Sequence, residues 1–379
     1  MTRFLSLHRV GLLAALLFVD MGSALHAQIH YSVTDVGSLS GSETFGFGVN
    51  ARGQVVGWSF GEGDLGERAF RTAPNQPINP ATDDLGALNL ADTPSNAYGI
   101  NLWAQVVGVS YGDLINHAFR TAPNRPINPA TDDLGTFGGP QNEPFQFSEA
   151  FGINIWGQVA GSASYIGYAQ NGISFRPQHA FRTAPNRPIN PATDDLGTFG
   201  GANSNAYGIN DWAQVVGSAE LSDDTTFHAF RTGPNRSINP ATDDLGTLGG
   251  TQSEADGIND WGQVVGYAQL SDDTTWHAFR TAPNHPINSA TDDLGTLDGT
   301  DQSEALGINN RGDVVGYSYT SGDTIERAFL FSGGVMHDLN DLIPANSGVV
   351  LEEAAGINDA GQIVAIGGGH TFLLTPARR

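Results

Sequence analysis

The chain contains neither cysteine nor lysine. Without cysteine there is no disulfide, no thiolate metal site, no thiol nucleophile and no lipidated cysteine. Without lysine there is no Schiff-base chemistry. All 17 basic residues are arginine; with 40 acids they leave a net charge of -23 over 379 residues. That balance argues against nucleic acid and anionic membrane surfaces, which attract basic patches, and fits a self-repelling, cation-preferring surface. Helical periodicity is also missing, since no window keeps a 3.6-residue apolar repeat for three turns. No G-x-S-x-G, HExxH, P-loop or dinucleotide fingerprint occurs.

The one long apolar run is "VGLLAALLFV", preceded by Arg3 and Arg9 and followed by "GSALHAQ". It is too short to span a bilayer and reads as a signal peptide, residues 1–27, cleaved after Ala24 or Ala27. Asp20 near its end is unusual for such a segment. The remaining 28–379 reads as one domain, secreted or periplasmic, with no membrane span.

What is present is repetition. "GINDWGQVVG" at 257–266 has relatives starting at Gly48, Gly99, Gly152, Gly208, Gly307 and Gly356, spaced by 51, 53, 56, 49, 50 and 49 residues. "HAFRTAP" recurs from His117, His179, His228 and His277, with weaker forms from Arg68, Arg327 and His370. "INPATDDLG" and its variants complete each unit. Short β-branched and aromatic runs bounded by Gly, Asn, Asp and Pro read as strands. "NDWG" is hairpin-turn chemistry, with Asn and Gly tolerating positive φ, and "APNRPIN" is a second turn.

Each unit therefore predicts four strands: "SEADGIN", "QVVGYA", "HAFRTA" and "INPATDDLG". The fold class is all-β, a seven-bladed β-propeller of four-stranded blades. Residues 28–37 begin with a fourth strand and the chain ends with a third. Pairing of the N-terminal and C-terminal strands would complete the last blade and close the ring without an exposed edge.

The three landmarks resemble the HAF-repeat family of extracellular bacterial repeat proteins over almost the whole chain after residue 27. The resemblance implies secretion and repetition, with no activity or active-site residues to carry over. Arg68 and Arg327 depart from the family His, and the two chain ends from its "DDLG".

Five features could carry function. Trp103, Trp156, Trp212 and Trp261 occupy one turn position in four successive units, where Arg52, Arg311 and Ala360 stand elsewhere. A one-sided arc of indoles could stack on sugar rings; alternatively each covers a neighbouring blade. Acidic loops holding Asp223, Asp224, Asp272 and Asp273, with Asp64, Asp113 and Asp323, offer hard oxygens. They also read as ordinary turns, and neither an EF-hand nor a GGxGxDx repeat accompanies them. The repeated His and "TDDLG" acids look like scaffold, because catalysis needs an asymmetric constellation. "RGD" at Arg311–Asp313 fills the slot of a turn. Only the third unit breaks symmetry, with two insertions bearing Phe145, Phe147, Tyr165, Tyr168, Phe175 and Arg176.

The sequence thus points to a secreted, non-enzymatic binding module, with carbohydrate or a protein surface as partner. The expectation is a monomer without cofactor or catalytic residues. The ligand-binding candidates are the four Trp with Tyr165, Tyr168 and Arg176. The competing readings are a polysaccharide hydrolase or lyase using Tyr165 or Tyr168 as base and Arg176 for uronate carboxylates, and a structural or adhesive surface protein.

Overall fold

In the computed structural model the described residues are 30–61, 66–89, 93–112, 116–138, 146–165, 167–168, 174–175, 177–297, 302–319 and 326–377. The N-terminal leader, Asp64, Asp113, Asp323, Phe145 and Arg176 lie outside them. The regular structure of the described chain is almost wholly β, arranged as seven antiparallel sheets of three or four strands in a propeller-like array. Repeat five shows the pattern: Ser253–Ile258 pairs with Val264–Gln269, which pairs with Trp276–Arg280. A two-stranded ribbon, Gly167–Tyr168 with Ser174–Phe175, rises from repeat three.

Every first strand carries a register shift, between Ala255 and Gly257 in repeat five. The second-strand glycine faces this irregularity; a Cβ on Gly217 would collide with the Asn205 carbonyl. The glycine of "VVG" thus answers to backbone packing in the first six repeats, while repeat seven places Ala365 there.

The expected fourth strand forms in only two repeats. Val335–Asp338 pairs with Glu326–Ser332, and Tyr31–Asp35 pairs with His370–Pro376 over five residues. In the other five, "INPATDDLG" is a turn that touches the sheet by one bridge, such as Phe230 with Asp244. In four of the five a proline at the third position supplies no donor, and in all five the segment bonds to itself instead. Asn239 N donates to Asp243 Oδ2 (2.8 Å), Ala241 N to Asn239 Oδ1 (3.1 Å) and Asp243 N to Asn239 O (2.9 Å). The two true fourth strands lack the Pro-Ala-Thr insert.

The core is divided into seven seams, each shared by neighbouring sheets. Val56, Ala69 and Leu85 of repeat one pack with Ala97, Val106 and Phe119 of repeat two. Val364 and Leu373 of repeat seven pack with Val55 and Phe70 of repeat one. One phenylalanine per third strand, from Phe70 through Phe329, is fully buried in six repeats. Burying such side chains contributes roughly 2–3 kcal/mol each. In repeats two to six a Ser Oγ near the head of the first strand adds a polar link: Ala229 N donates to Ser253 Oγ (2.9 Å), and Ser253 Oγ donates to Gly246 O (2.6 Å).

Candidate functional site

The turn between first and second strands is built by its asparagine, whose side chain does the work that positive φ was expected to do. Asn210 Oδ1 accepts from Trp212 N (3.1 Å) and Gln214 N (3.0 Å), while Nδ2 donates to Gln214 Oε1 (2.8 Å). The left-handed residue is the fourth of the turn: Gly53, Gly157, Gly262, Gly312 and Gly361, but Ala104 (φ 60°) and Ala213 (φ 58°) in repeats two and four. A β-carbon in that region costs about 1–2 kcal/mol. Ala104→Gly with Ala213→Gly is therefore expected to raise the thermal midpoint by a few degrees, measured by calorimetry. An unchanged or lower midpoint would show that the strain is relieved locally.

The same Nδ2 reaches the next repeat. Asn50 donates to Asn101 O, Asn101 to Asn154 O, Asn154 to Asn210 O, and Asn210 to Asn259 O. Asn259 donates to Asn309 O, Asn309 to Asn358 O, and Asn358 to Asn50 O (2.9 Å). With the preceding Ile or Val and the following residue, these seven Asn line a cavity of about 230 Å³. The following residues differ across its mouth. Ala51, Leu102 and Ile155 are apolar; Asp211, Asp260, Asn310 and Asp359 are polar. The polar arc is occupied locally: Asp211 Oδ1 accepts from Ile155 N (3.0 Å), Asp260 from Asp211 N (3.0 Å) and Asp359 from Asn310 N (2.8 Å). Burial, then the charges of Asp260 and Asp359, push the Asp211 carboxyl up, against the hydrogen bond from Ile155.

The tryptophans stand immediately outside this mouth. Trp103, Trp156, Trp212 and Trp261 keep 52, 57, 64 and 63 % of their surface exposed. Three of the indoles are tethered: Nε1 donates from Trp103 to Ile155 O (2.9 Å), from Trp156 to Asp211 O (3.0 Å) and from Trp261 to Asn310 O (2.9 Å). Each tethered ring bridges to the next repeat, and its faces remain available. Arg311 copies the bridge, donating to Asp359 O (2.7 Å), and its Nε holds Asp313 Oδ2 (3.0 Å), so the RGD tripeptide is a turn.

The third-repeat residues are elsewhere. Tyr165 follows the second strand, at the opposite end of the sheet from the Trp turns. Its ring stacks on Phe137 (centroids 4.8 Å apart), and its hydroxyl donates to Asp195 Oδ2 (2.7 Å). Burial, then Asp195, pushes the phenol further up, away from the range of a general base. Tyr168 is placed only by its backbone in the two-residue ribbon, and Arg176 lies outside the described residues.

The repeated His and Asp meet at the sheet edges. His117, His179, His228 and His277 Nδ1 lie 2.8–3.0 Å from Asp133, Asp195, Asp244 and Asp293. Arg68 takes the same role with Asp84 (3.2 Å). The acidic loops are turns: Asp223 accepts from Thr225 N, Thr226 N and Thr226 Oγ1, and the Thr226 hydroxyl foremost holds its carboxyl down to about 2. Among the described residues no group of three or more His, Asp or Glu converges to hold a metal.

One group escaped the sequence reading. Glu254, Asp256, Glu304 and Glu353 sit on the first strands of repeats five to seven. Burial pushes Asp256 well up and raises Glu254 and Glu304; it carries Glu353 from 4.5 to about 7. The Glu353 rise alone corresponds to about 3 kcal/mol. Groups whose carboxyl is raised lend stability below about pH 4.5 that is lost as pH climbs through the folded value. His228, raised chiefly by its hydrogen bond to Asp244, lends stability below about 6.5 that is likewise lost on deprotonation. Asp133, Asp195, Asp244 and Asp293 act oppositely: burial opposes ionisation, but the His bonds keep them low, so their contribution is lost only below about pH 4. The thermal midpoint is therefore expected to peak at roughly pH 4–6 and to fall by pH 8. A midpoint that is flat or rises over that span would contradict these assignments.

Fold and site together define a class: a propeller-like, all-β repeat protein with an aromatic arc around the mouth of a shared cavity. No family model and no curated protein matches the chain. Among solved structures it is similar to TolB from Acinetobacter baumannii, at 11 % identity and a TM-score of 0.40, covering 93 % of this chain and 64 % of that one. It is also similar to a chain of the Mitotic Checkpoint Complex (11 %, TM-score 0.44, 100 % of both chains). A triple arginine-to-alanine mutant of AofleA from Arthrobotrys oligospora aligns at 11 % identity (TM-score 0.39, 82 % of this chain and 90 % of that one). The chain thus spans less than two thirds of the TolB chain, and at this identity the likeness concerns fold alone.

Proposed function

We propose that this protein is exported after removal of residues 1–27 and forms a closed seven-bladed β-propeller that works as a non-enzymatic binding module, with carbohydrate as its ligand class. The observation that carries the binding role is the exposure of four large indoles on one end face. Soluble proteins rarely leave such surface uncovered in one arc without a partner. Tethering fixes three of the rings before a ligand arrives, which lowers the ordering cost of stacking. A flat sugar face then meets a rigid apolar platform beside the polar mouth of the cavity. The reading of a closed ring is supported by the Asn series that returns from Asn358 to Asn50, the seam between repeats seven and one, and the pairing of Tyr31–Asp35 with His370–Pro376.

The test is a glycan-array screen of the purified protein, followed by mass spectrometry of each hit after prolonged incubation. Binding without cleavage is the expected result. Cleaved product would replace the module reading with an enzyme, and an array without hits would remove carbohydrate as the ligand class. Export predicts a mature N-terminus at Gln28, readable by mass spectrometry of the secreted fraction. Retention of the leader would contradict it.

A further inference from the structure

We propose that the inner strands of the repeats enclose a second site, distinct from the Trp face, that binds a small organic ammonium ion. The position two residues before the last residue of each first strand, Val49 or an Ile, carries Phe47, Tyr98, Phe151, Tyr207, Asp256, Leu306 and Ala355. All seven keep some accessible surface although these strands are innermost, so water-sized space reaches this layer. Repeats one to four line it with a continuous aromatic arc: ring centroids are 5.4 Å apart for Phe47 and Tyr98, 5.2 Å for Tyr98 and Phe151, and 5.4 Å for Phe151 and Tyr207. Asp256 breaks that series as the one charged member.

Asp256 Oδ2 is buried and has no hydrogen-bond partner. Glu254, Glu304 and Glu353 come from the same strands of repeats five to seven. Glu254 is oriented by Tyr267 OH (3.0 Å) and Ser218 Oγ (3.0 Å). The charges acting on Asp256, Glu304 and Glu353 are all acidic; no arginine or histidine of the described chain offsets them. A second acceptor, Asn96 Oδ1, at the position equivalent to Glu254, is likewise buried without a donor. Buried acceptors without donors are costly, and an uncompensated carboxylate more so.

The missing partner must therefore bring N–H donors and positive charge. A metal bound directly would need several oxygens converging, which the described residues do not provide. An ammonium group suits the arrangement better, since aromatic faces and carboxylates together are the surroundings that stabilise it. Carboxylates on three neighbouring repeats would accept the two charged ends of a diamine. Asp256 lies three residues, about 10 Å along the strand, from the turn asparagine Asn259, which sets the site apart from the Trp arc beyond that turn.

The experiment is isothermal titration of the full-length protein with 1,4-diaminobutane at pH 8 and low salt, with calcium chloride in a parallel titration. Saturable diamine binding is expected, weakened at least ten-fold by Asp256→Leu and unchanged by Trp156→Ala. Asp256→Leu places the repeat-six type of side chain in repeat five and should raise the thermal midpoint, so lost binding would not reflect misfolding; Asp256→Asn serves as the isosteric control and should weaken binding as well. No diamine binding, binding by both Asp256 variants as tight as that of the intact protein, or binding of calcium alone would each overturn the proposal.

Discussion

Asn210→Ala is expected to destabilise the fold by about 4 kcal/mol. The side chain is 4 % exposed and makes four hydrogen bonds, two accepted from its own turn, one donated to Gln214 and one to the Asn259 carbonyl. Each is worth about 1 kcal/mol, and the partners left behind are buried without replacement. Asn210→Asp should be nearly as damaging. It keeps the two accepting roles but turns a carboxylate oxygen against Gln214 Oε1 and Asn259 O. At this chain length the midpoint should fall by roughly 5 °C or more in either variant, since each kcal/mol shifts it by a degree or two. Alanine at Trp212, two residues away, should move the midpoint by a degree or less, because no tether holds its exposed ring. Equal effects at the two positions would refute the role given to the Asn series.

Removal of residues 28–36 should have a larger effect still. Tyr31–Asp35 supplies the outer strand of the seventh sheet, and Tyr31 and Val36 are buried in the seams on either side of it. Without them His370–Pro376 becomes an exposed edge, and the apolar surfaces of Leu342, Leu374 and Leu373 are uncovered. The backbone bonds and two buried side chains together amount to several kcal/mol, a large part of the stability of most domains. The expected outcome is a shortened chain that aggregates or unfolds well below the intact protein. A peptide of residues 28–37 added in excess should restore part of the loss. A truncated chain as stable as the whole would show that the N-terminal strand is an accessory and not a closing element.

Much of this architecture was legible because the repeats restate it. The buried Phe of each "HAF", the paired valines of "QVV" and the turn Asn recur at fixed offsets, and periodicity fixes which face each occupies. The fourth strand misled because "INPATDDLG" carries β-branched residues whose hydrogen bonds are taken locally by Asn239 and Asp243. The indole tethers were not legible, since Trp156 reaches a carbonyl 55 residues further on. Nor was the separation of Tyr165 from the Trp arc, which depends on the end of the sheet at which each connection lies. Asp256 was hidden for the opposite reason. Seen as one of seven copies, "EADGIN" matches "EALGIN" and "NAYGIN", and the single substitution that breaks the inner layer disappears into the consensus.

The central claim is that the Trp face receives the ligand. Its most direct test is the dissociation constant, by titration calorimetry, of the strongest glycan-array hit for the intact protein, Trp156→Ala, the Trp156→Ala/Trp212→Ala pair and Tyr165→Phe. Stacking at about 1 kcal/mol per ring predicts a loss of roughly five-fold for the single variant and twenty-fold or more for the pair. Tyr165→Phe, at the other end of the sheet, should bind as the intact protein does. Unchanged affinity in the double Trp variant, or a loss confined to Tyr165→Phe, would contradict the account and move the site to the third-repeat insertions.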